Sequence, residues 1–410
     1  MFSEKILALA AECEKDCREQ FEYIDDIAFK NTQKVMSVFA QNRLSDRHFA
    51  PTSGYGYNDD GRDLCDKLFA DAFGAEAGFA RHSIINGTHA LSIGLYALLR
   101  PGDTLLSVAG KPYDTLDEVI GISGKSGDGS LADFNIGYKQ IDLDENGYPR
   151  LEKIKETVAN DASVKVVFVQ RSKGYSDRRT LTVKDINDIC DVVRANSNAY
   201  IMVDNCYGAF TEESEPKADL LVGSLIKNAG GGMAESGGYL VGSAKAVELA
   251  SYRYSTVGVG LECGASLGQT KSMIKGLFYA PHTVAQAVKT AVFAARVFEK
   301  LGFTVSPKYN EKRSDIIQTF TLGSEDALVK FCLGIQAGSP VDAHVAPVPW
   351  EMPGYNDRVI MAAGAFTQGS SIELSCDGPV RPPYIAYLQG GLTYESGKYG
   401  ILKAAQTVTE

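Results

Sequence analysis

Between residues 104 and 242 the sequence alternates short apolar runs with longer amphipathic stretches. The apolar runs predict strands at 104–108, 136–141, 165–170, 199–203, 219–223 and 237–242. The amphipathic stretches predict helices at 115–122, 151–158 and 182–196, and Thr182 with Asp185 resembles a capping box at the start of the last one. Strands that alternate with helices in this way predict an α/β fold with a large, mostly parallel sheet and helices on both faces.

The chain begins with a helical pattern. Apolar residues recur at three- and four-residue intervals from Ser3, a possible N-cap, to about Arg43, which predicts one long leading helix. A loop segment rich in Gly, Asn, Asp and Tyr follows at 51–63, and a helix is predicted at 63–73. A short strand at Ile84 and Ile85 is then expected to run into a helix that ends at Leu99.

The alternation of strands and helices stops after residue 264. Long helices are predicted there, and Pro281, placed near the start of the second one, marks the crossing between two domains. From about Phe303 onward, predicted strands at 316–322, 359–363 and 371–374 mix with a helix at 325–336, which is typical of an α+β arrangement. We therefore predict an N-terminal helical segment (1–50), a large domain (51–280) and a small C-terminal α+β domain (281–410).

Composition narrows the class of protein. The chain has 410 residues with 44% hydrophobic content, which is enough for a large core and a smaller second one. A net charge of −10 argues against a nucleic-acid partner, since such proteins carry a basic patch. The eight cysteines show neither CxxC spacing nor neighbouring histidines, so no metal site is predicted and reduced thiols are expected. No secretory signal and no apolar run of roughly 18 residues is present, so we predict a cytoplasmic protein without a membrane partner.

Two charged residues at the ends of predicted strands are the chain's strongest chemical signal. Asp204 ends one apolar strand, and Lys227 follows the next one. Because open α/β sheets place ligands at the carboxyl ends of their strands, the two side chains can face one site. A buried lysine with a depressed pKa is a good amine nucleophile toward carbonyls, and a carboxylate can pair with a protonated ring nitrogen. This pairing suits a pyridoxal phosphate enzyme, whereas the alternative makes Asp204 a cap and Lys227 a solvated loop residue.

A second set of residues points to anion binding. Gly87, Thr88 and His89 open a predicted helix, whose free N–H groups and positive end suit a phosphate. Ser224 lies three residues before Lys227, and the glycines at 230–232 permit close approach of the backbone to a flat ligand.

Loop residues supply further candidates. Tyr55, Tyr57 and Arg62 lie on the loop at 51–63, either as binding residues or as ordinary surface groups. Arg381 lies on a proline-rich loop and could clamp a carboxylate bidentately, with a surface salt bridge as the alternative.

Taken together, the motifs GYGYNDDGRD, VDNCYGAF, SLIKNAGGG and DGPVRPPY resemble fold type I pyridoxal phosphate enzymes of the cysteine and methionine metabolism group. The resemblance is strongest to the bacterial methionine gamma-lyase-like proteins, also described as cystathionine beta-lyase-like proteins involved in aluminium resistance. It implies a fold type I, transferase-like architecture and pyridoxal 5′-phosphate (PLP) as cofactor.

The resemblance also implies roles for individual residues. Lys227 would form the internal aldimine and later move the substrate's Cα proton, and Asp204 would keep the ring nitrogen protonated. Gly87, Thr88 and Ser224, with His89 beside them, would bind the phosphate. Tyr113 would stack on the ring and protonate a departing thiolate.

Other implied roles concern the subunit interface and the substrate. Tyr57 and Arg62 match residues that reach the phosphate of a neighbouring subunit, which implies a homodimer at least, with a homotetramer expected. Arg381, Arg171 and Tyr55 are the candidates for binding the substrate. Arg171 enters this set because the chain reads QRSKGY at 170–175, where typical lyases carry Glu-x-Pro-x-Asn-Pro.

The implied activity is a carbon–sulfur lyase that performs β- or γ-elimination on a sulfur amino acid of the cystathionine, cysteine or methionine type. Two alternatives stay open. The same site could serve another PLP-dependent reaction, such as aldol cleavage, transamination or β-replacement. The chain could also be a non-catalytic scaffold that binds PLP.

Overall fold

A computed structural model of the chain describes residues 2–352 and 357–410. Its larger sheet has seven strands in the order β1-β7-β6-β5-β4-β2-β3. The strands are β1 (Ala77–Arg81), β2 (Thr104–Ser107), β3 (Gly137–Gln140), β4 (Val164–Gln170), β5 (Tyr200–Asp204), β6 (Leu220–Ser224) and β7 (Gly238–Gly242). Five neighbouring strands pair in parallel, and β7 is antiparallel to both β1 and β6. The predicted fold class, a mostly parallel sheet in an α/β protein, is confirmed.

Helices cover both faces of this sheet. The helices of the described residues are α1 (Glu4–Asp16), α2 (Arg18–Gln41), α3 (Asp60–Ala72), α4 (Gly87–Leu98), α5 (Asp117–Ile120), α6 (Leu151–Asn160), α7 (Val183–Asn196), α8 (Ala244–Tyr254), α9 (Thr270–Lys300), α10 (Glu325–Ala337) and α11 (Tyr394–Thr409). Of these, α1, α10 and α11 contribute to the core of the small domain. Along β4, Val167 and Val169 belong to the core beneath α6, α7 and α9, whereas Val166 and Phe168 belong to the core beneath α4 and α8. Successive side chains of a strand point to opposite faces, so a strand buried on both faces reads as a continuous apolar run.

The C-terminal part forms a second, antiparallel sheet of five strands in the order β10-β11-β12-β9-β8. Its strands are β8 (Thr304–Ser306), β9 (Gln318–Thr321), β10 (Val359–Ala362), β11 (Ser375–Pro379) and β12 (Ile385–Gln389). Phe298 of α9, Phe320 of β9 and Phe331 of α10 pack together in its core, with ring centroids 4.8–5.0 Å apart. The smaller α+β sheet domain is therefore present as predicted.

Two element predictions in the first part of the chain are wrong. The leading helix is two helices that meet at Cys17, because Ile6 and Ala10 of α1 join the small-domain core while Val35 of α2 joins the large one. The strand predicted at Ile84 and Ile85 lies instead at 77–81, and Ile84 is a buried residue of the turn before α4. Ile85 is largely exposed, so two adjacent isoleucines indicate neither a strand nor burial of both side chains here.

Two further differences concern the second half of the chain. Pro281 lies inside the single helix α9, so no new helix begins there, and the predicted boundary at 280/281 falls within α9. The strand predicted at 371–374 begins at Ser375 instead, although Ile372 and Leu374 are buried. Nothing in the pattern before residue 375 distinguishes a buried bend from a strand. Within the described residues, no helix combines the length and the apolar character that crossing a membrane requires.

Candidate active site

Three polar residues at the carboxyl ends of strands in the larger sheet line one cavity. Gln170, Asp204 and Ser224 are the last residues of the adjacent strands β4, β5 and β6, and all three line a cavity of about 430 Å³. The small domain also contributes to its lining, including Ser375 and Asp377 of β11. The carboxyl edge of a parallel sheet is where α/β proteins place their ligands.

Lys227 lies in this cavity, as the sequence predicts, and so does Asp204. The Nζ of Lys227 lies 3.6 Å from the centroid of the Tyr207 ring. Burial lowers the pKa of Lys227, but the acidic groups of Tyr207, Cys206 and Asp204 raise it by more, so the net pKa lies above its ordinary value. The depressed pKa expected from burial alone is thus wrong here, because three acidic groups face the same ammonium.

Asp204 is almost fully buried and accepts a hydrogen bond from the backbone N–H of Cys206 at 3.0 Å. Burial raises the pKa of Asp204, while the hydrogen bonds from Cys206 and the charge of Lys227 act in the opposite direction. A carboxylate withdrawn from water in this way gains most from a cationic partner.

The predicted anion site forms around the start of α4. Gly87 is the first residue of α4, and Gly87, Thr88 and Ser224 all line the cavity. A Cβ on Gly87 would lie 3.4 Å from Cys206 Sγ and 3.6 Å from Ser224 Cβ, so glycine keeps this corner open. Backbone N–H groups of a first helical turn have no partner within the helix and favour an anion.

His89 has a different position. Asn86, the N-cap of α4, accepts the backbone N–H of His89 at 2.8 Å, and the His89 Nδ1 accepts the N–H of Ile85 at 3.2 Å. His89 does not belong to the lining of the cavity. Its geometry is that of a residue that stabilises the helix start, and the direct phosphate contact predicted for it is corrected accordingly.

Tyr113 lines the same cavity and also a smaller neighbouring cavity of about 260 Å³. Its backbone N–H donates to the Oε1 of Gln170 at 2.6 Å, which ties it to the end of β4. The Tyr113 ring lies 5.8 Å from that of Tyr175. Lys227, Asp204 and Tyr113 are therefore brought together as the sequence indicates.

The loop at 51–63 lies outside this cavity. The rings of Tyr55 and Tyr57 stack on each other at 5.6 Å, and both side chains are largely exposed. Arg62 is buried, and its Nη1 donates to the carbonyl oxygens of Gly56 at 2.7 Å and Gly264 at 3.0 Å. Within one chain these residues do not reach Lys227, and a role across a subunit interface stays a prediction.

The side chain of Arg171 does not line the cavity that contains Lys227. Its side chain is fully buried, and its Nη1 donates to Asn205 at 2.8 Å and to Glu215 at 3.2 Å. Its Nη2 donates to Glu212 at 3.1 Å. Two carboxylates already neutralise this guanidinium, so the substrate role predicted for Arg171 is corrected to a structural one.

Arg381 lines the neighbouring cavity rather than the one that contains Lys227. Its Nη1 donates to Asp357 at 2.7 Å, and half of its side chain is exposed. Arg381 therefore forms a surface salt bridge, which was the alternative to binding a substrate carboxylate.

The sequence reading missed several residues of the cavity, above all Tyr207 and Asp377. Asp377 is 8% exposed and accepts hydrogen bonds from the Tyr175 hydroxyl and, at 3.4 Å, from Gln389 Nε2. Burial raises the pKa of Asp377 to about 6, against the opposing effects of Tyr175 and Lys227. Asp377 is the first residue of the motif DGPVRPPY, in which only Arg381 was predicted as a site residue. An acidic residue within an otherwise buried strand could have indicated it.

The side chains that line the cavity suit an organic ligand better than a metal ion. No cluster of three His, Cys, Asp or Glu side chains suited to a metal ion occurs in the part of the chain that the structure describes. A lysine, a buried acid, a glycine-led helix start and the hydroxyls of Thr88 and Ser224 line one space instead.

The whole chain is similar to proteins of one known family. The family model described as methionine gamma-lyase matches residues 6–409. The protein YnbB of Bacillus subtilis (strain 168) is 49% identical over 405 residues, which cover 98% of this chain and 96% of that protein.

The fold is also similar to that of several solved structures. A carbon-sulfur lyase involved in aluminum resistance from Clostridium novyi NT has a TM-score of 0.95 and 49% identity, covering 98% of this chain and 96% of that one. A pyridoxal-5′-phosphate dependent protein, YhfS from Escherichia coli, has a TM-score of 0.61 at 15% identity, covering 93% and 96%, and shares the fold.

Proposed function

This chain belongs to the methionine gamma-lyase family, and from that membership we propose that it is a PLP-dependent carbon–sulfur lyase. We propose that it acts by β- or γ-elimination on a sulfur amino acid of the cystathionine, cysteine or methionine type. One observation supports this reading above the others: Lys227 and Asp204, from two neighbouring strands, face the same cavity.

The residues of the cavity fit the proposed cofactor. The N–H groups at Gly87 and Thr88 and the hydroxyls of Thr88 and Ser224 would bind its phosphate. Asp204 would face the ring nitrogen, and Lys227 would carry the aldehyde end. When bound, PLP supplies an electron sink for the negative charge that develops at the substrate's Cα.

The side chains of this protein supply the proton transfers. The free Lys227 amine would take the proton from the substrate's Cα, and the Tyr113 hydroxyl would donate a proton to the departing sulfur. An ionised Asp204 would stabilise a positive charge on the ring nitrogen. Elimination of the thiol and addition of water leave a keto acid and ammonia. Each general acid or base of this kind contributes roughly 10²- to 10⁴-fold in rate.

The small domain has a role in this scheme. Residues 368–371 and Asp377 close the side of the cavity that faces Lys227, and the N–H of Ser371 donates to the carbonyl of Ile226 at 3.3 Å. This contact fixes the wall next to the catalytic lysine. It would limit the access of water to the reacting Cα, where stray protonation competes with elimination.

The assay that tests this proposal uses the PLP-loaded protein with cystathionine, cysteine and methionine in separate reactions. Keto acid, ammonia and the sulfur product are measured together, with Lys227→Ala as the inactive control. We expect equal amounts of keto acid and ammonia from at least one substrate. Amino-group transfer without free ammonia would instead indicate transamination, and bound cofactor without any product would indicate a scaffold.

We also propose that the protein works as a homodimer at least, in the cytoplasm. The support is the sequence match of Tyr57 and Arg62 to residues that act across a subunit interface in similar lyases. Light scattering on the purified protein measures the assembly directly, and a monomer with full lyase activity would contradict this part of the proposal.

A further inference from the structure

Asp377 is a buried acid that the proposed elimination does not use. It lies on β11 of the small domain and lines the same cavity as Asp204 and Lys227, which come from the large domain. The Tyr175 hydroxyl and the Gln389 amide both donate hydrogen bonds to its carboxylate. These partners fix the direction in which the carboxylate points.

The backbone around Asp377 is equally constrained. The carbonyl oxygen of Tyr175 accepts a hydrogen bond from the Tyr387 hydroxyl at 2.9 Å, so the residue that donates to Asp377 is itself attached to β12. A Cβ on the next residue, Gly378, would lie 2.6 Å from the Ile385 carbonyl oxygen. The backbone next to Asp377 therefore packs closely against β12.

The charges in the cavity are few. Of the described side chains that line it, three carry a formal charge: Asp204, Lys227 and Asp377. The proposed function uses Asp204 and Lys227 for the cofactor. Asp377 is then the remaining fixed charge beside the space left for the substrate.

We infer that Asp377 determines specificity by favouring amino acids whose side chain ends in an ammonium or another strong hydrogen-bond donor, and by rejecting those that end in a carboxylate. This inference rests on the proposed function in one respect, since it takes the cavity to be an amino-acid site. A charge-assisted hydrogen bond to a buried carboxylate strengthens binding, whereas a second carboxylate beside it meets like-charge repulsion.

The neighbouring cavity adds little to this selectivity. Of the three cationic groups that line it, Lys111 pairs with Asp114 and Arg381 pairs with Asp357, and both of these acids also line that cavity. The selectivity between ligand charges is therefore assigned to Asp377.

The test uses three amino acids of similar length that contain no sulfur: lysine, norleucine and 2-aminoadipate. Their binding to the PLP-loaded protein is measured by calorimetry, so the readout does not depend on turnover. For the wild-type protein we expect lysine to bind most tightly and 2-aminoadipate most weakly, with at least about a tenfold difference in Kd.

The variants isolate the carboxylate. Asp377→Asn keeps the shape of the side chain and is expected to bring the three Kd values together, whereas Asp377→Glu retains the charge and the order. The exposed Asp128→Asn is the matched control and leaves the order unchanged. Tyr175→Phe removes the hydrogen bond that orients Asp377 and narrows the difference, which tests the inference even if Asp377→Asn does not fold.

The outcomes separate the two proposals. A wild-type protein with no preference among the three ligands, or an Asp377→Asn protein that keeps it, overturns the role of Asp377. A protein that binds the ligands in the expected order but releases no keto acid from any sulfur amino acid contradicts the lyase function and supports the role of Asp377.

Discussion

The ammonium of Lys227 lies over the ring of Tyr207, with 3.6 Å between Nζ and the ring centroid. Asn228, the residue after Lys227, donates its side-chain amide to the carbonyl oxygens of Tyr207 and Ala209, each at 2.9 Å. Tyr207 itself has a φ of +69° in the turn after β5. The end of β5 therefore supplies both the acid Asp204 and the ring that positions the lysine.

This contact predicts a difference between two substitutions at Tyr207. Tyr207→Phe keeps the ring face and is expected to bind PLP nearly as well as the wild type. Tyr207→Leu loses the cation–π contact, which stabilises the free ammonium of the apoprotein and opposes its reaction with the aldehyde of PLP. We therefore expect a Kd for PLP about fivefold lower, corresponding to about 1 kcal/mol. Fluorescence titration of the apoprotein measures both values. Equal changes in the two variants would show that the hydroxyl, and not the ring, is responsible.

Asp204 is expected to matter for turnover more than for cofactor retention. Asp204→Asn keeps the size of the side chain but removes the charge that stabilises a protonated ring nitrogen. We expect the cofactor to stay bound and kcat to fall by roughly 10²- to 10⁴-fold. Steady-state kinetics and absorption spectra check the two parts, with the exposed Asp128→Asn as control. Near-normal kcat would remove the proposed role.

The two arginines that the sequence predicts to bind the substrate should behave differently. Arg171→Met leaves Glu212 and Glu215 without their buried partner, so we expect a loss of about 3–5 kcal/mol in the free energy of unfolding. Arg381→Met removes an exposed pair with Asp357 and should cost less than about 1 kcal/mol. Urea unfolding measures both. A stable Arg171→Met protein with a raised KM would restore its predicted substrate role.

Asp377 gives the stability of the apoprotein a pH dependence with a defined sign. Its pKa is about 6 when folded, against an ordinary value of 3.8, so the folded state holds its proton more tightly. The resulting stabilisation is complete below pH 3.8 and is lost as the pH rises through 6. Asp377→Asn cannot lose a proton, so its stability relative to the wild type should increase between pH 4 and pH 7, by on the order of 2 kcal/mol.

Thermal unfolding of both apoproteins across this pH range tests the prediction. Asp128→Asn, whose carboxylate is exposed, provides the reference for pH effects unrelated to burial. A constant difference between Asp377→Asn and the wild type would show that the folded protein does not shift the titration of this carboxyl.

The sequence predicted most of the large sheet, because its central strands β2, β4, β5 and β6 are buried on both faces and amphipathic helices lie between several of them. It also identified Asp204 and Lys227, since each stands directly after an apolar run and the sheet edge brings strand ends together. Asp377 was missed because its place beside Lys227 depends on how the small domain packs against the large one. No local pattern contains that information.

The errors have related causes. Arg171 looked available for an anion because its partners, Glu212 and Glu215, lie in a distant loop that folds back over it. His89 followed the helix start in sequence, but its bonds to Asn86 and Ile85 are those of a cap. The residue type suggested binding for Arg171, and the position at a helix start suggested it for His89. The contacts that already satisfy these groups could be seen only in three dimensions.

The central claim is that Lys227 carries the cofactor, and borohydride reduction of the PLP-loaded protein tests it most directly. After reduction and digestion, mass spectrometry of the peptides locates the pyridoxyl group, with Lys227→Ala as the test variant and Lys111→Ala as the control. We predict that the wild type and Lys111→Ala carry the group on Lys227, and that Lys227→Ala is folded but unlabelled. A label on any other lysine of the wild-type protein would contradict the account.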